Sequence, residues 1–261
     1  MTLPVFKSDV ALMGHQPGQQ FVLSGPEARH AVTVRRLGPG QWLDVVDGEG
    51  VRVRAQVVSA DTQRLVLAVQ EVHRTEAPSV RLMLVQALAK ADRDLQAVES
   101  CTELGVDDVV AWQADRSVAR FREGRKQKQL DKWRNTITAA AKQSRRSRWP
   151  VLWDPVDTAG LTNLMASSPQ TFWVVLHEKA EQTLIGLFQQ HQDVSVGSEV
   201  SRVALVVGPE GGISDAEIDQ LTARGARTAL LGPDVLRSST AGPAGMVLVN
   251  MFTGRWNSTP H

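Results

Sequence analysis

The most informative segment for the fold of this chain is Val206-Val207-Gly208-Pro209-Glu210-Gly211-Gly212-Ile213-Ser214. Its β-branched start predicts a buried strand that ends at Gly208, and Ser214 is placed to cap a following helix. Glycines at a strand end let the backbone approach a ligand closely. Because ligands of open parallel sheets bind beyond the carboxyl ends of the strands, this loop is predicted to line a ligand site. Its spacing matches neither a P-loop nor the dinucleotide-binding fingerprint.

A second loop with a similar sequence pattern follows at 230–241, with the sequence LLGPDVLRSSTA. A strand again runs into Gly-Pro, and Ser238 or Ser239 is predicted to cap the next helix, which places Pro243 in the first turn. Arg237 is the only cation of this loop. Its guanidinium could bond helix carbonyls. A role in binding or catalysis is favoured, because the small and apolar residues around it do not otherwise explain a charged side chain.

Outward from these loops, strands alternate with helices. Short apolar strands are predicted at Val80–Leu88, Val106–Trp112, Phe172–Leu176, Val203–Val207 and Thr228–Leu231. The alternation predicts an α/β fold with a mostly parallel sheet that is covered on both faces.

The chain before Pro78 has a different pattern, typical of a small β-barrel. A hairpin is predicted from Trp42–Val46 to Val51–Val58, with a further strand at Arg64–Val72 and a basic helix at Arg29–Leu37. We therefore expect two domains, 1–75 and 78–255, joined by a short linker.

The composition excludes several classes of protein. The 261 residues are 42% hydrophobic, as in ordinary globular domains, and the single cysteine, Cys101, excludes a disulfide framework. Cys101 falls on the apolar stripe of a predicted helix, so we expect it in the core. The N-terminus has no apolar signal core, so we expect a cytoplasmic protein with no membrane segment. The six histidines are scattered, and no metal site or G-x-S-x-G hydrolase motif is predicted.

The net charge of +1 hides a strong segregation of charge. Between residues 116 and 148 twelve Lys or Arg face two acidic residues, Glu123 and Asp131, which gives this segment a charge of +10. The remainder holds 17 basic and 26 acidic residues, a charge of −9. A solvated helix face is one interpretation, and a binding surface for a polyanion such as RNA is the other.

The two C-terminal loops together resemble those of the ribosomal RNA small subunit methyltransferase E family. That family belongs to the knotted SPOUT class of S-adenosylmethionine-dependent RNA methyltransferases. The resemblance extends over nearly the whole chain, with counterparts at His30–Leu37, Gln86–Leu88, Asp92–Gly105, Asp115–Val118 and Ala139–Ser144.

This chain departs from the family pattern at three places. Asp234 stands where a basic or neutral residue is common, and Ser239 stands where Glu is common. Asp92-Arg93-Asp94 replaces the more usual Gly-Asp/Glu-Lys, which leaves Arg93 as the basic group of that loop.

The resemblance implies a fold, a cofactor and a reaction. It implies a PUA-like RNA-binding domain ahead of a C-terminal trefoil knot, a homodimer, and methylation of uridine N3 in the decoding region of 16S ribosomal RNA. The substrate is either the naked RNA or the assembled small subunit. Arg237 would be catalytic, whereas Glu210 is a weaker candidate for a base, since a carboxylate in such a turn usually binds backbone N–H groups. The residues implied for S-adenosylmethionine are Leu176, His177, Val207, Gly208, Pro209, Glu210, Gly211, Gly212, Leu230, Leu231, Gly232, Val235, Leu236, Arg237 and Thr240.

RNA phosphate contacts are expected from the basic segment and from the first domain. The candidates are Arg35, Arg36, Arg93, Arg116, Arg120, Lys142, Arg145, Arg146 and Arg148. Two other functions stay open on the sequence: a knotted methyltransferase that acts on another RNA such as tRNA, and a non-catalytic RNA-binding or ribosome assembly protein that kept the fold.

Overall fold

A computed structural model describes residues 3–121, 124–191 and 199–257. The chain forms two compact units, Met1–Ala77 with Ala141–Trp149, and Pro78–Ala140 with Pro150–His261. A linear boundary near residue 77 therefore does not describe the first unit completely, because that unit takes in the segment 141–149 from far along the chain. Arg122 and Glu123, which belong to the basic segment, lie outside the described residues.

The first unit is a five-stranded curled sheet. Its strands are β1 (Val5–Lys7), β2 (Gln20–Ser24), β3 (Trp42–Val46), β4 (Val51–Asp61) and β5 (Arg64–Arg74), in the order β1-β3-β4-β5-β2. The predicted hairpin is β3–β4, and the register of β4 against β5 shifts twice, which bends the sheet.

The predicted helix Arg29–Leu37 differs in the structure. Helix α1 spans Gly25–Arg29 and continues as a π-helical turn, His30–Val34. It starts early because Pro26, whose fixed backbone angle suits a helix start, lies in its first turn. It cannot continue past Arg35, because Arg36 has a left-handed φ of 55°.

The second unit alternates strands and helices. In chain order these are β6 (Arg81–Ala87), α2 (Arg93–Glu103), β7 (Asp108–Gln113), α3 (Lys126–Gln143), β8 (Val151–Leu152), β9 (Val156–Asp157), α4 (Thr158–Ala166), β10 (Thr171–Leu176), α5 (Leu184–Gln190), β11 (Arg202–Val207), α6 (Asp215–Ala223), β12 (Arg227–Ala229) and α7 (Ser238–Phe252). The sheet order is β12-β10-β11-β6-β7-β8 with β9 beside β7, and every pairing is parallel, which confirms the predicted α/β class.

Apolar side chains fill both faces of this sheet, as predicted. One core contains Val98, Trp133 and Met246, and the core on the other face contains Trp112 and Leu161. Cys101 lies in the first core with no exposed surface, and burial raises the pKa of its thiol, so the prediction of a core cysteine is confirmed. No helix in the described ranges is long and apolar enough to span a membrane.

The parallel register brings the ends of three strands together. Leu176, the last residue of β10, pairs with Val207 of β11 on one side and with Ala229 of β12 on the other. Since all three strands run in the same direction, the segments that follow them leave the sheet at one edge. The two loops singled out in the sequence therefore meet at this edge.

Candidate functional site

Two adjoining cavities open at the carboxyl edge of β10, β11 and β12. The larger has a volume of about 430 Å³, within the range of about 300–1,000 Å³ that is usual for small-molecule sites. The smaller has a volume of about 110 Å³. Of the residues predicted for a cofactor, all except Thr240 line one cavity or the other. Wall residues that the prediction missed are Glu178, Ala229, Ile213, Pro233, Asp234, Ser238 and Ala241.

The glycine loop after β11 is packed too closely for side chains. A Cβ on Gly208 would lie 2.6 Å from Cγ1 of Ile213, which is itself buried. A Cβ on Gly211 would lie 3.1 Å from both Cβ and the carbonyl oxygen of Arg116. Arg116 also donates from Nη1 to the carbonyl of Gly211 over 3.4 Å. The loop backbone therefore forms the cavity wall directly.

Gly208→Ala is expected to lower the free energy of unfolding by about 1–3 kcal/mol, because Ile213 or the loop must shift to relieve the overlap. Urea unfolding monitored by circular dichroism measures this change. Gly38→Ala is the matched control, since a Cβ there meets no atom within 4 Å and the backbone φ is not positive. Equal stability of the two variants would contradict the packing argument.

Helix α6 is attached to this loop by a buried carboxylate. Ser214 caps the helix as predicted, and it forms a capping box with Glu217. The side chain of Glu217 is fully buried, and its Oε1 accepts from the backbone N of Asp115 at 2.9 Å and from Oγ1 of Thr158 at 2.8 Å. Its Oε2 accepts from the backbone N of Ser214 at 3.0 Å. Glu217 thus fixes the end of the glycine loop against two distant segments of the chain.

The start of α7 differs from the prediction. Arg237, not Ser238 or Ser239, occupies the N-cap position, and no side chain caps the helix there. Because the helix begins at Ser238, Pro243 lies in its second turn, so the carbonyl of Ser239 lacks the usual donor four residues on. Ser238 is 7% exposed, and its Oγ is buried without a hydrogen-bond partner in the part of the chain that the structure describes. The predicted cap and the predicted first-turn proline were therefore both wrong.

The guanidinium of Arg237 is exposed at the wall of the larger cavity. Only the backbone carbonyl of this residue is engaged, accepting from the N–H groups of Thr240 at 2.8 Å and Ala241 at 2.9 Å. Within residues 3–121, 124–191 and 199–257, no hydrogen bond or ion pair holds the side chain. Its charge is available to a ligand in the cavity, and it does not bond helix carbonyls.

Glu210 is engaged by the turn that precedes α2. Its Oε1 accepts from the backbone N of Lys90 at 3.1 Å and from Nη1 of Arg93 at 3.2 Å. The sequence favoured backbone binding over a general base, but it predicted N–H groups of the loop itself, whereas Lys90 lies 120 residues away in the chain. Arg93 was predicted to bind RNA, but here it pairs with Glu210 and lines the larger cavity.

The turn that Glu210 holds is strained. Ala91 and Asp92 have φ values of 53° and 55°, a left-handed conformation that residues with a side chain disfavour.

The carboxyl of Asp94, in the first turn of α2, is buried. This residue is 7% exposed, and burial raises the pKa of its carboxyl above the usual 3.8.

Asp94→Asn is expected to stabilise the fold at pH 7.5 and to lose that advantage near pH 4. The raised pKa means that the folded state binds the proton more tightly than the unfolded chain, so the cost of aspartate grows as the pH rises above 3.8 and is complete above its folded pKa. Below 3.8 the carboxyl is protonated in both states and the cost disappears. Thermal unfolding of both proteins at the two pH values measures this difference. An equal gain at both would show that titration is not its cause.

The predicted RNA-binding residues differ in their surroundings. Arg35 and Arg36 of the first unit are exposed, whereas Lys142 pairs with Glu27 and both side chains are 19% exposed. Arg148 donates from Nε to the carbonyl of Thr75 at 2.9 Å. In the second unit, Arg116 and Arg120 are exposed while bonding backbone carbonyls. The Lys142 charge is compensated within the fold, which the count of basic residues could not reveal.

Among the residues that the structure describes, no group of three or more His, Cys, Asp or Glu side chains is arranged to hold a metal ion.

Comparison with known proteins identifies both units. The family described as "RNA methyltransferase domain" matches residues 75–250, and the "RNA methyltransferase PUA domain" matches residues 23–70. The ribosomal RNA small subunit methyltransferase E of Mycobacterium bovis is 38% identical over 248 residues, which cover 93% of this chain and 90% of that protein. The Bacillus subtilis protein of the same name is 27% identical and covers 85% of this chain and 86% of its own length.

Solved structures show the same fold. Ribosomal RNA small subunit methyltransferase E from Neisseria gonorrhoeae, bound to S-adenosyl methionine, superposes with a TM-score of 0.81 at 22% identity over 96% of this chain and 98% of that one. A Legionella pneumophila protein solved with bound S-adenosylmethionine gives 0.82 at 24% identity, with the same coverage. By its sequence relatives, this chain belongs to the ribosomal RNA small subunit methyltransferase E family.

Proposed function

We propose that the protein transfers a methyl group from S-adenosylmethionine to N3 of a uridine in the decoding region of small-subunit ribosomal RNA. The observation that carries this proposal is the convergence of both glycine loops on one cavity whose wall holds the uncompensated Arg237. Membership of the family supplies the reaction class and the type of RNA, and it favours the enzyme over a non-catalytic assembly protein.

The cavities suit S-adenosylmethionine, which supplies an electrophilic methyl group on a sulfonium when bound. Leu231, Val235 and Leu236 offer apolar surface for the adenine ring, and the glycine loop offers backbone N–H and C=O groups without side chains in the way. The uncapped start of α7 and the unpartnered hydroxyl of Ser238 add donors at the wall.

The reaction needs a way to make uridine N3 nucleophilic. N3 carries a proton, and when that proton leaves, negative charge spreads to the uracil carbonyl oxygens. The guanidinium of Arg237 would stabilise this charge, and the N3–CH₃ bond would then form as the S–CH₃ bond breaks. The proton passes to solvent in this scheme, because the carboxylate of Glu210 is already engaged by Lys90 and Arg93.

RNA would reach the site through basic residues of both units. A base must leave its stack to meet the methyl group, and phosphate contacts position the strand while it does so. Arg35 and Arg36, together with Arg116 and Arg120, are the exposed candidates for these contacts. Binding should weaken steeply with salt.

The oligomeric state, the chain topology and the form of the substrate are also proposed. We propose a homodimer, with Ile185, Met251 and Trp256 as exposed apolar side chains of the second unit that support one. We also propose a trefoil knot, supported by the hydrogen bonds that Leu230 makes with Gln182 and Leu184. The substrate is proposed to be the assembled small subunit, which would locate the reaction in the cytoplasm.

Calorimetric titration with S-adenosylmethionine and with S-adenosylhomocysteine tests the cofactor assignment. We expect both to bind at one site per chain, and Gly208→Ala to weaken both. If neither ligand binds the folded protein, the enzyme assignment fails.

A further inference from the structure

A separate cavity of about 270 Å³ lies in the second unit, between the start of α2 and helix α3. Its apolar wall includes Leu88, Leu95, Ala119 and Trp133. Trp133 is only 2% exposed and belongs to the core, so this wall is rigid. The volume is sufficient for one nucleobase but small for a complete cofactor.

Two hydrogen-bond acceptors in the wall of this cavity can take a further donor. Oε1 of Gln129 is buried and has no hydrogen-bond partner among the described residues, while Nε2 of the same amide donates to the carbonyl of Arg120 at 3.2 Å. A buried acceptor that lacks a donor costs stability, so an unpaired one at a cavity points to a ligand that donates.

Asp94 supplies the second acceptor. Its Oδ1 accepts from the backbone N of Leu95 at 2.9 Å, whereas its Oδ2 lies 3.5 Å from the backbone N of Ala89, which is a long contact. In the described part of the chain no basic side chain lies within 4.0 Å of this carboxyl. Oδ2 therefore has capacity for a further donor.

The strained turn connects this cavity to the larger one. Ala91 and Asp92, both left-handed, line the 270 Å³ cavity, whereas the next residue, Arg93, lines the 430 Å³ cavity. Strain of this kind persists where the surrounding structure enforces it, commonly at functional sites. Here the enforcing contact is Glu210, which binds the backbone of Lys90.

The rim carries two cations suited to a phosphate. Lys90 is exposed, and Lys132 is 59% exposed with its Nζ 4.0 Å from the carboxylate of Asp92. A contact at that distance on the surface is weak, so Lys132 can turn to another anion at little cost.

We propose that this cavity binds an unstacked nucleobase that carries an exocyclic amine, an adenine, cytosine or guanine beside the target uridine in the RNA strand. This inference rests on the proposed function. An exocyclic amine donates two N–H groups to Gln129 and Asp94, whereas uracil has a single donor, N3–H, between two carbonyl oxygens, so it would place an oxygen against one of the two acceptors and is disfavoured. The cavity would thus select the neighbour of the target, while the target itself would meet the bound cofactor at the mouth of the larger cavity.

Nuclear magnetic resonance titration of the full chain, saturated with S-adenosylhomocysteine to block the larger cavity, tests this proposal. The probes are AMP, CMP, GMP and UMP, followed by the backbone amide signals of Lys90, Leu95 and Ala119. We expect at least one amine-bearing nucleotide to shift these signals and to bind about five- to tenfold more tightly than UMP, the ratio expected from one hydrogen bond.

Gln129→Met should abolish the preference over UMP, and Gln127→Met should retain it. Gln127 is the matched control because it lies on the same helix but bonds the exposed Asp131. Asp94→Asn is a second variant, which should improve UMP binding because an amide can donate to a uracil carbonyl.

Binding of UMP as tightly as the other three nucleotides, or a lack of shifts with all four, would overturn the proposal. So would an unchanged preference in both Gln129→Met and Asp94→Asn. Failure of S-adenosylhomocysteine to bind counts instead against the proposed function, so the two failures are distinguishable.

Discussion

Arg237→Ala is expected to reduce the turnover of methyl transfer by at least about 100-fold while leaving the affinity for S-adenosylmethionine largely intact. The guanidinium at the cavity wall makes no bond with the described residues, so its loss changes the charge presented to the substrate and not the fold. Single-turnover transfer of a labelled methyl group to small ribosomal subunits measures the rate, and calorimetry measures the affinity.

Arg224→Ala is the matched control, because Arg224 is an exposed arginine at the end of α6 and away from the cavities. Arg237→Lys should give an intermediate rate, since an ammonium keeps the charge but not the planar fork. Turnover that is unchanged in Arg237→Ala would remove this residue from the mechanism.

Glu217→Ala is expected to destabilise the second unit by about 3 kcal/mol, the largest effect on stability in this account. The change leaves the backbone N–H groups of Asp115 and Ser214 and the hydroxyl of Thr158 without their acceptor. Urea unfolding monitored by tryptophan fluorescence measures the loss, because Trp112 donates to Thr158 within the same network.

Two variants control for this interpretation. Glu217→Gln retains the size of the side chain and one acceptor oxygen, so it should lose less. Asp219→Ala, at an exposed position of the same helix, should change stability by less than about 0.5 kcal/mol. If Glu217→Ala were no less stable than Asp219→Ala, the network would not hold the loop as argued.

The sequence predicts the location of the site because the signals are local. A β-branched run that ends in glycine indicates a strand end, and Ser214 followed by Glu217 indicates a helix start. Parallel strands then bring the loops after β11 and β12 to one edge without further information. For this reason nearly all the residues predicted for a cofactor line the two cavities.

The remaining features depend on contacts between distant residues. In the sequence, Glu217 has the pattern of an ordinary acidic residue in the first turn of a helix. Nothing near it in sequence indicates that Thr158 and Asp115 would donate hydrogen bonds to its carboxylate in the core. In the sequence, Lys142 is one of many cations, yet its charge is paired with the carboxylate of Glu27, which lies 115 residues away in the chain. The start of α7 was misplaced because serine usually caps helices, whereas the hydroxyl of Ser238 is buried at the cavity wall.

Mapping of modified nucleotides in ribosomal RNA tests whether the protein methylates uridine N3 in the decoding region. Small-subunit RNA from cells that lack this protein would be compared by mass spectrometry with RNA from cells that express it or its Arg237→Ala variant. We predict one N3-methyluridine in the decoding region that is lost in the deletion, restored by the natural chain and not restored by the variant. An unchanged modification pattern in the deletion, or the loss of a methyl group from tRNA instead, would contradict the account.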